Sequence, residues 1–260
     1  MWVSCANAVD FFDPRSGTLV SSVSVGPVDA GKWHNPDGIF YEPTSHLLVS
    51  VNGDSSSLSL IDTKAFTKVG DIPIGKGKLE TGVADGTGLM YVNVEKSGSI
   101  AVVDVSMRKL VREFPMKDCE EPTGLVYDST DRLLISVCSN GLAKFIASES
   151  GNELASLKVD EGSDAVIFDP DRHYVFSFGG ESGTLSIIAL KDRSHIALVQ
   201  TLKTQPSARL GALDRKTGRV YIPAAIVGPP AAPIKLPGME EMPGLNLHTF
   251  KFIVVEPTAP

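Results

Sequence analysis

The stretch from Cys119 to Gly141, CEEPTGLVYDSTDRLLISVCSNG, sets two short apolar strands either side of an acidic turn, with a cysteine near each end. Four relatives lie in the same chain: PDGIFYEPTSHLLVSVNGD (36–54), ETGVADGTGLMYVNVEKSG (80–98), SDAVIFDPDRHYVFSFGGESG (163–183) and ARLGALDRKTGRVYIPAA (208–225). With the acidic turn residue as anchor, Glu42, Asp85, Asp128, Asp169 and Asp214 follow one another at 43, 43, 41 and 45 residues. A second strand pair follows each of the first four units, clearest in LSLIDTKAFTKVGDIPI (58–74) and IAVVDVSMRKLVREFPM (100–116). Alternating side chains with turn signals every ~8–12 residues indicate antiparallel strands. Four strands in each repeat of about 40 residues is the period of a β-propeller blade.

The ends of the chain hold incomplete repeats. Residues 1–26 read as the last three strands of a blade, and 208–256 supply three more. With four full repeats between them, the count is about 22 strands. The expected fold is therefore all-β, a single β-propeller domain over 1–260 with six blades, five or seven being the alternatives. No amphipathic helix is expected.

Composition narrows the function classes. A formal net charge of −7 leaves no cationic excess to neutralise phosphates, which argues against nucleic acid and anionic membrane as partners. No apolar run approaches the ~20 residues of a membrane span. The opening MWVSCANAVDFFDP has neither a basic nor an apolar leader region. The expected location is cytoplasmic, or exported if the natural gene is longer at its N-terminus. Three cysteines are too few for a disulfide scaffold and lack zinc-finger spacing.

The segments PIGKGKLETGVADGTGLMYVNVEKSGSIAVVD, CEEPTGLVYDSTDRLLISVCSNG and TQPSARLGALDRKTGRVYIPAA resemble successive blades of the YncE-like (YVTN-repeat) β-propellers. Typical members are longer at the N-terminus, carry an export signal and have seven blades. The resemblance implies architecture more than activity, because one fold hosts many functions. Some fungal propellers resembling this family act as hetero-Diels–Alderases that join tropolone quinone methides to sesquiterpenes. For this chain that resemblance implies a metal-free, lyase-like enzyme of natural-product biosynthesis.

Repeat symmetry locates candidate site residues. Equivalent positions at the start of the innermost strands are expected to ring the channel mouth of a propeller. Asp37, Glu80, Thr123, Asp164 and Arg209 each stand five residues before a turn anchor. Carboxylates, a hydroxyl and a guanidinium at equivalent places are not needed for packing. Asp37, Glu80, Asp164 and Arg209 are the candidate catalytic residues, with Glu80 or Asp164 as proton donor and Arg209 stabilising oxyanion charge. Asn52, Asn93, Glu121 and Thr123, together with Trp33 and His34, are expected to contact substrate.

An insertion, AIVGPPAAPIKLPGMEEMPGLNLH (225–248), separates two strands of the last repeat. A proline-stiffened apolar loop of this length is expected to act as a lid, with Met239 and Met242 facing a small apolar organic ligand. Cys119 and Cys138 fall at the same end of one blade, where a disulfide between them fits an oxidising setting. No cofactor is expected and no metal site is assigned. Two alternatives remain: a non-catalytic propeller that binds a ligand or protein, and a calcium-dependent lactonase using the oxygen ligands of the same face. The sequence does not assign an oligomeric state.

Overall fold

The computed structural model describes residues 1–5, 7–26, 36–75, 77–229, 231–233 and 244–257. These residues form 22 strands in six antiparallel sheets, and no helix occurs among them. None is therefore long and apolar enough to cross a membrane. The chain divides into two compact units, Met1–Lys117 and Asp118–Pro260.

The first unit holds three sheets. The first has three strands, β1 (Trp2–Cys5), β2 (Ala8–Phe12) and β3 (Leu19–Ser24). The second runs β4 (Pro36–Glu42), β5 (Leu47–Asn52), β6 (Ser57–Asp62) and β7 (Thr67–Pro73). The third is β8 (Leu79–Ala84), β9 (Leu89–Val94), β10 (Ser99–Asp104) and β11 (Lys109–Pro115). Each is a meander in which sequence neighbours pair.

The second unit repeats this plan. Its first sheet is β12 (Pro122–Asp128), β13 (Leu133–Cys138), β14 (Leu142–Ala147) and β15 (Glu153–Lys158). Its second is β16 (Ser163–Asp169), β17 (Tyr174–Gly179), β18 (Thr184–Asp192) and β19 (His195–Lys203). Its third has three strands, β20 (Ala212–Asp214), β21 (Arg219–Val227) and β22 (Leu245–Val255). Six such blades, three in each unit, make the fold a β-propeller.

The recurring acidic residue proves to be the turn-former. Asp169 Oδ1 accepts the N–H groups of Asp171 and Arg172 at 3.0 and 3.2 Å, and Asp128 Oδ1 accepts those of Thr130 and Asp131. Glu42, Asp85 and Asp214 do the same. A carboxylate that bonds backbone two or three residues on closes the turn without help from a partner strand. The second hairpin of the blade reuses the device at Asp13, Asp62 and Asp104. These turns fix strand register, so that alternate side chains of every strand face the neighbouring sheets.

Packing between successive sheets supplies the cores. In the first unit Val9, Phe11 and Val23 meet Leu48 and Ile61, while Val49, Val51, Leu58 and Leu60 meet Met90, Val92 and Val103. In the second, Leu133, Ile135 and Val137 meet Val175, Ile188 and Leu190, and Phe176 and Phe178 meet Val220 and Ile222. Each fully buried side chain contributes roughly 1.5–3 kcal/mol.

The two cysteines are bonded, with S–S 2.03 Å and Cα–Cα 5.5 Å. The bridge ties the segment entering β12 to the end of β13. Asp118 and Glu121, on either side of Cys119, have φ of 59° and 47°, a left-handed backbone that non-glycine residues rarely adopt. Asn140 braces the same segment, donating to Asp118 O and accepting from Glu120 N–H.

The 225–248 insertion is shorter than expected as a loop. Ile226 and Val227 pair with Asn246 and Leu245, so both strands run on into it. Thr249 Oγ1 accepts the N–H of Ile226 at 2.8 Å, and Gly228 N–H donates to Gly244 O at 2.9 Å. Met239 and Met242 lie outside the described residues, as do Trp33 and His34.

The disulfide spans 19 residues. Replacing both cysteines by serine is expected to lower unfolding free energy by about 3 kcal/mol. Urea denaturation of the variant and of the oxidised and reduced wild type measures it; three coincident curves contradict the expectation.

Candidate functional site

Bonds between sheets set where the innermost strands begin. Gly53 O accepts from Leu79 N–H, Ser139 O from Gly162 N–H and Gly180 O from Ser207 N–H, at 2.8 to 3.2 Å. Gly53 and Gly180 are needed there. A Cβ on Gly53 would fall 1.8 Å from Asp37 Oδ2 and 2.9 Å from Leu79 O, and one on Gly180 would fall 2.4 Å from Arg209 Cβ. The glycine after the second strand thus lets the aligned charged residues draw close. Within the first unit β4 lies beside β8, and within the second β12 and β20 lie beside β16.

In the first unit this gathers three carboxylates, Asp37, Glu80 and Glu95, around one ammonium, with Asp54 acting on Asp37. Lys78 Nζ stands 2.5 Å from Glu80 Oε1 and 3.4 Å from Glu95 Oε2. Burial pulls its pKa down, but the hydrogen bond and charge of Glu80, with Glu95 and Asp37, outweigh that and hold it well above the usual range. Asp37 behaves oppositely. Crowding by protein atoms comes first, then the charges of Glu80, Asp54 and Glu95, and together they push its carboxyl up to about 7 against the pull of Lys78. Its side chain still keeps an exposed edge, so the proton can exchange with solvent.

The second unit arranges its aligned residues as a pair. Arg209 Nε donates to Asp164 Oδ2 at 2.5 Å, which engages both residues and competes with the separate roles expected of them. Thr123 Oγ1 donates to Ser163 O at 2.8 Å, linking β12 to β16. Glu121 is exposed and accepts from Ser139 Oγ at 3.2 Å.

Asn52 and Asn93 are not at an open face. Both are fully buried. Asn52 Nδ2 donates to Ser59 Oγ at 2.9 Å, and its Oδ1 accepts from Ser50 Oγ at 3.1 Å, inside the blade. Asn93 is also displaced by one residue. Val94 pairs with Leu79, as Asn52 pairs with Pro36 and Cys138 with Pro122. A one-residue offset turns a strand side chain to the opposite face.

Lys78, Glu95 and Asp54 are the site residues that sequence reasoning left out. Lys78 stands two residues before Glu80, as Glu121 stands two before Thr123, so its nearness was readable. Glu95 lies just beyond β9, and only the fold brings it to Lys78. An apolar cleft of about 200 Å³ in the first unit is lined by Met1, Trp2, Phe11, Phe12, Val20, Thr63 and Phe66, and none of these charged residues lines it. Among the described residues, no group of three or more His, Cys, Asp or Glu is placed to hold a metal ion.

No protein-family profile matches the chain, and no curated protein matches it significantly. Solved structures do. A chain of a mitotic checkpoint complex superposes with a TM-score of 0.70 at 15% identity, over 85% of this chain and 67% of that one. The hydrazine synthase of Kuenenia stuttgartiensis gives 0.67 at 19%, over 85% and 70%. At such identities the likeness shows the shared propeller fold and nothing about activity.

The raised Asp37 has a thermodynamic consequence. A carboxyl whose folded pKa lies above its unfolded value favours folding while protonated, and that contribution is lost as pH rises from about 4 to about 7. Asp37→Asn is therefore expected to melt like wild type near pH 4 and at higher temperature than wild type at pH 8. Thermal melts across that range test it, and equal melting temperatures at pH 8 contradict it.

Proposed function

We propose that the chain is a small-molecule-binding β-propeller that acts on its ligand by metal-free acid chemistry, with Asp37 as the proton donor. The supporting observation is the carboxyl of Asp37, raised to about 7 and still reachable from solvent. A general acid works best when its pKa lies near the working pH. Perturbed groups of this kind concentrate at functional sites. Glu80 and Asp164 suit the role less well, because Lys78 and Arg209 already engage them.

The substrate class follows from the resemblance to hetero-Diels–Alderase-type, YncE-like propellers. Asp37 would give its proton to a benzylic-type hydroxyl, the C–O bond would break with its electron pair on departing water, and the substrate's phenol-type O–H would release a proton to solvent. The resulting quinone methide would add to an apolar olefin, with acceleration coming largely from proximity. Asp37 would regain its proton from water.

A second reading is a non-catalytic propeller that only binds. It is favoured by the ion pairs that occupy Glu80, Asp164 and Arg209, and by an apolar cleft without charged lining.

The test incubates the protein with a hydroxymethyl-tropolone precursor and a sesquiterpene olefin, following adduct by mass spectrometry. Acid catalysis predicts adduct formation above the uncatalysed rate and a 10²- to 10⁴-fold loss in Asp37→Asn. Turnover unchanged by that substitution removes Asp37 from the mechanism. Calorimetric binding of the precursor without turnover supports the second reading instead.

A further inference from the structure

In each four-stranded sheet the first strand begins opposite the end of the second. Pro122 pairs with Cys138 as Pro36 pairs with Asn52, Leu79 with Val94 and Ser163 with Gly179. Three of these four hairpins close without a covalent bond, so strand pairing does not require the disulfide. What Cys119 adds is a hold on the lead-in to β12, Asp118 to Glu121, where the first and last residues have φ of 59° and 47°. Ten and seven residues before the turn anchor, the same places are taken by Gly75 ahead of β8 and Gly162 ahead of β16, both with positive φ. Glycine adopts that backbone without the Cβ clash that opposes it in Asp and Glu. Ser207 stands at the place of Glu121 in the last repeat, with φ of 85°, and its hydroxyl is fixed between Ala225 O and N–H at 2.6 and 3.1 Å. A non-glycine residue at this position comes with a brace.

The brace at 118–121 has a covalent part and a polar part. Ser139 N–H donates to Glu120 O and Glu121 O at 3.0 and 3.2 Å. Asn140 Nδ2 donates to Asp118 O at 2.9 Å, and Glu120 N–H donates to Asn140 Oδ1 at 3.3 Å. The turn that supplies these bonds is itself anchored, because Gly162 N–H donates to Ser139 O at 2.8 Å. The lead-in is the looser partner. Asp118, Glu120 and Glu121 are exposed, and Cys119 is its one buried side chain. Three carboxylates within four residues repel one another and favour a spread chain once the sulfurs part. Few buried apolar contacts and solvent-exposed backbone bonds are the marks of a segment that opens locally.

We propose that Cys119 and Cys138 form a redox latch, which a dithiol opens to release residues 118–121 while the sheet from β12 to β15 stays folded. Cys138 is wholly buried, and Cys119, at 7% exposed, is the sulfur within reach. A thiolate of the dithiol attacks Cys119 Sγ, the S–S bond breaks with its electron pair on Cys138 Sγ, and that sulfur takes a proton from water. The second thiol of the dithiol then displaces Cys119, its proton passing to the departing sulfur, and the dithiol ends as its own disulfide. Asp118 and Glu121 relax toward negative φ, and Ser139 loses the carbonyls it binds. The chain passes from Met1–Lys117 into Asp118–Pro260 at this segment, so the latch acts on the link that enters the second unit. This inference does not rest on the acid chemistry at Asp37.

Limited trypsin digestion at the exposed Lys117, with hydrogen exchange followed by mass spectrometry, tests the latch on the whole chain. Dithiothreitol, removed before trypsin is added, is expected to reduce the bond without loss of the β-sheet circular dichroism. Cleavage after Lys117 then speeds up about tenfold or more, because it follows the population of the open segment. Amides of 118–121 and 139–141 exchange faster, while those of 133–137 and 142–147 keep their protection. Cys119→Ser combined with Cys138→Ser is expected to match reduced wild type and to ignore dithiothreitol; if that variant does not fold, reduced wild type carries the test by itself. A bond that dithiothreitol leaves intact in the folded protein overturns the proposal. So does cleavage at an unchanged rate, or exchange that rises across the whole sheet, which would make the bond a brace for the entire blade.

Discussion

A β-sheet within a stack must bury apolar side chains on both faces, and that requirement organises this protein. The second sheet shows it most plainly. Leu48 and Ile61 face one neighbour while Val49, Val51, Leu58 and Leu60 face the other. Alternation along a strand makes such two-sided burial automatic once register is fixed. Turn carboxylates fix the register by bonds that lie within the hairpin and need no neighbouring sheet. The long-range packing then follows from short-range chemistry, which is the agreement between levels that a foldable sequence needs.

Stacking also explains why charge collects where it does. Side chains on the middle strands of each blade are largely committed to the cores, so the polar residues that escape burial near the innermost strands sit at strand starts and in the loops before them. Consecutive sheets bring those starts together, and small residues at Gly53 and Gly180 let them approach closely. The two units use the result differently. The second pairs Asp164 with Arg209, a neutral couple that ties neighbouring strands. The first sets Asp37, Glu80 and Glu95 about Lys78, and the charges of Glu80, Asp54 and Glu95 favour the protonated form of Asp37. Burial of Asp37 first, and the neighbouring carboxylates after it, distinguish the first unit as a place where protons could be handled.

The polar interior of the blades is a separate matter. Asn52 with Ser50, Ser57 and Ser59 forms a closed set of hydrogen bonds that also reaches Val25 O. Lys144, almost wholly buried, is met by Glu153 at 3.1 Å. Satisfied networks of this kind specify the packing of one sheet on another and leave few donors for a ligand.

Local pattern alone determined a good deal here: the strands, their antiparallel order and the placing of both cysteines at one end of a blade all depend on residues within one repeat of each other, while the bond itself and the count of six among five to seven came with the structure. Asp37, Glu80, Asp164 and Arg209 could be aligned because the repeat is regular; the first three stand second in their strands, while Arg209 lies three residues before β20. What alternation could not reveal was which of them faces which charge. Asn93 looked equivalent to Asn52, yet the turn after Asp85 is one residue shorter than that after Glu42, so Val94 takes that position and Asn93 points to the strand's other face. Glu95 joins Lys78, and Arg209 takes Asp164 from a residue 45 positions away, only once separate sheets are stacked. Protonation is decided by distances between such residues, and those distances exist only in the folded chain.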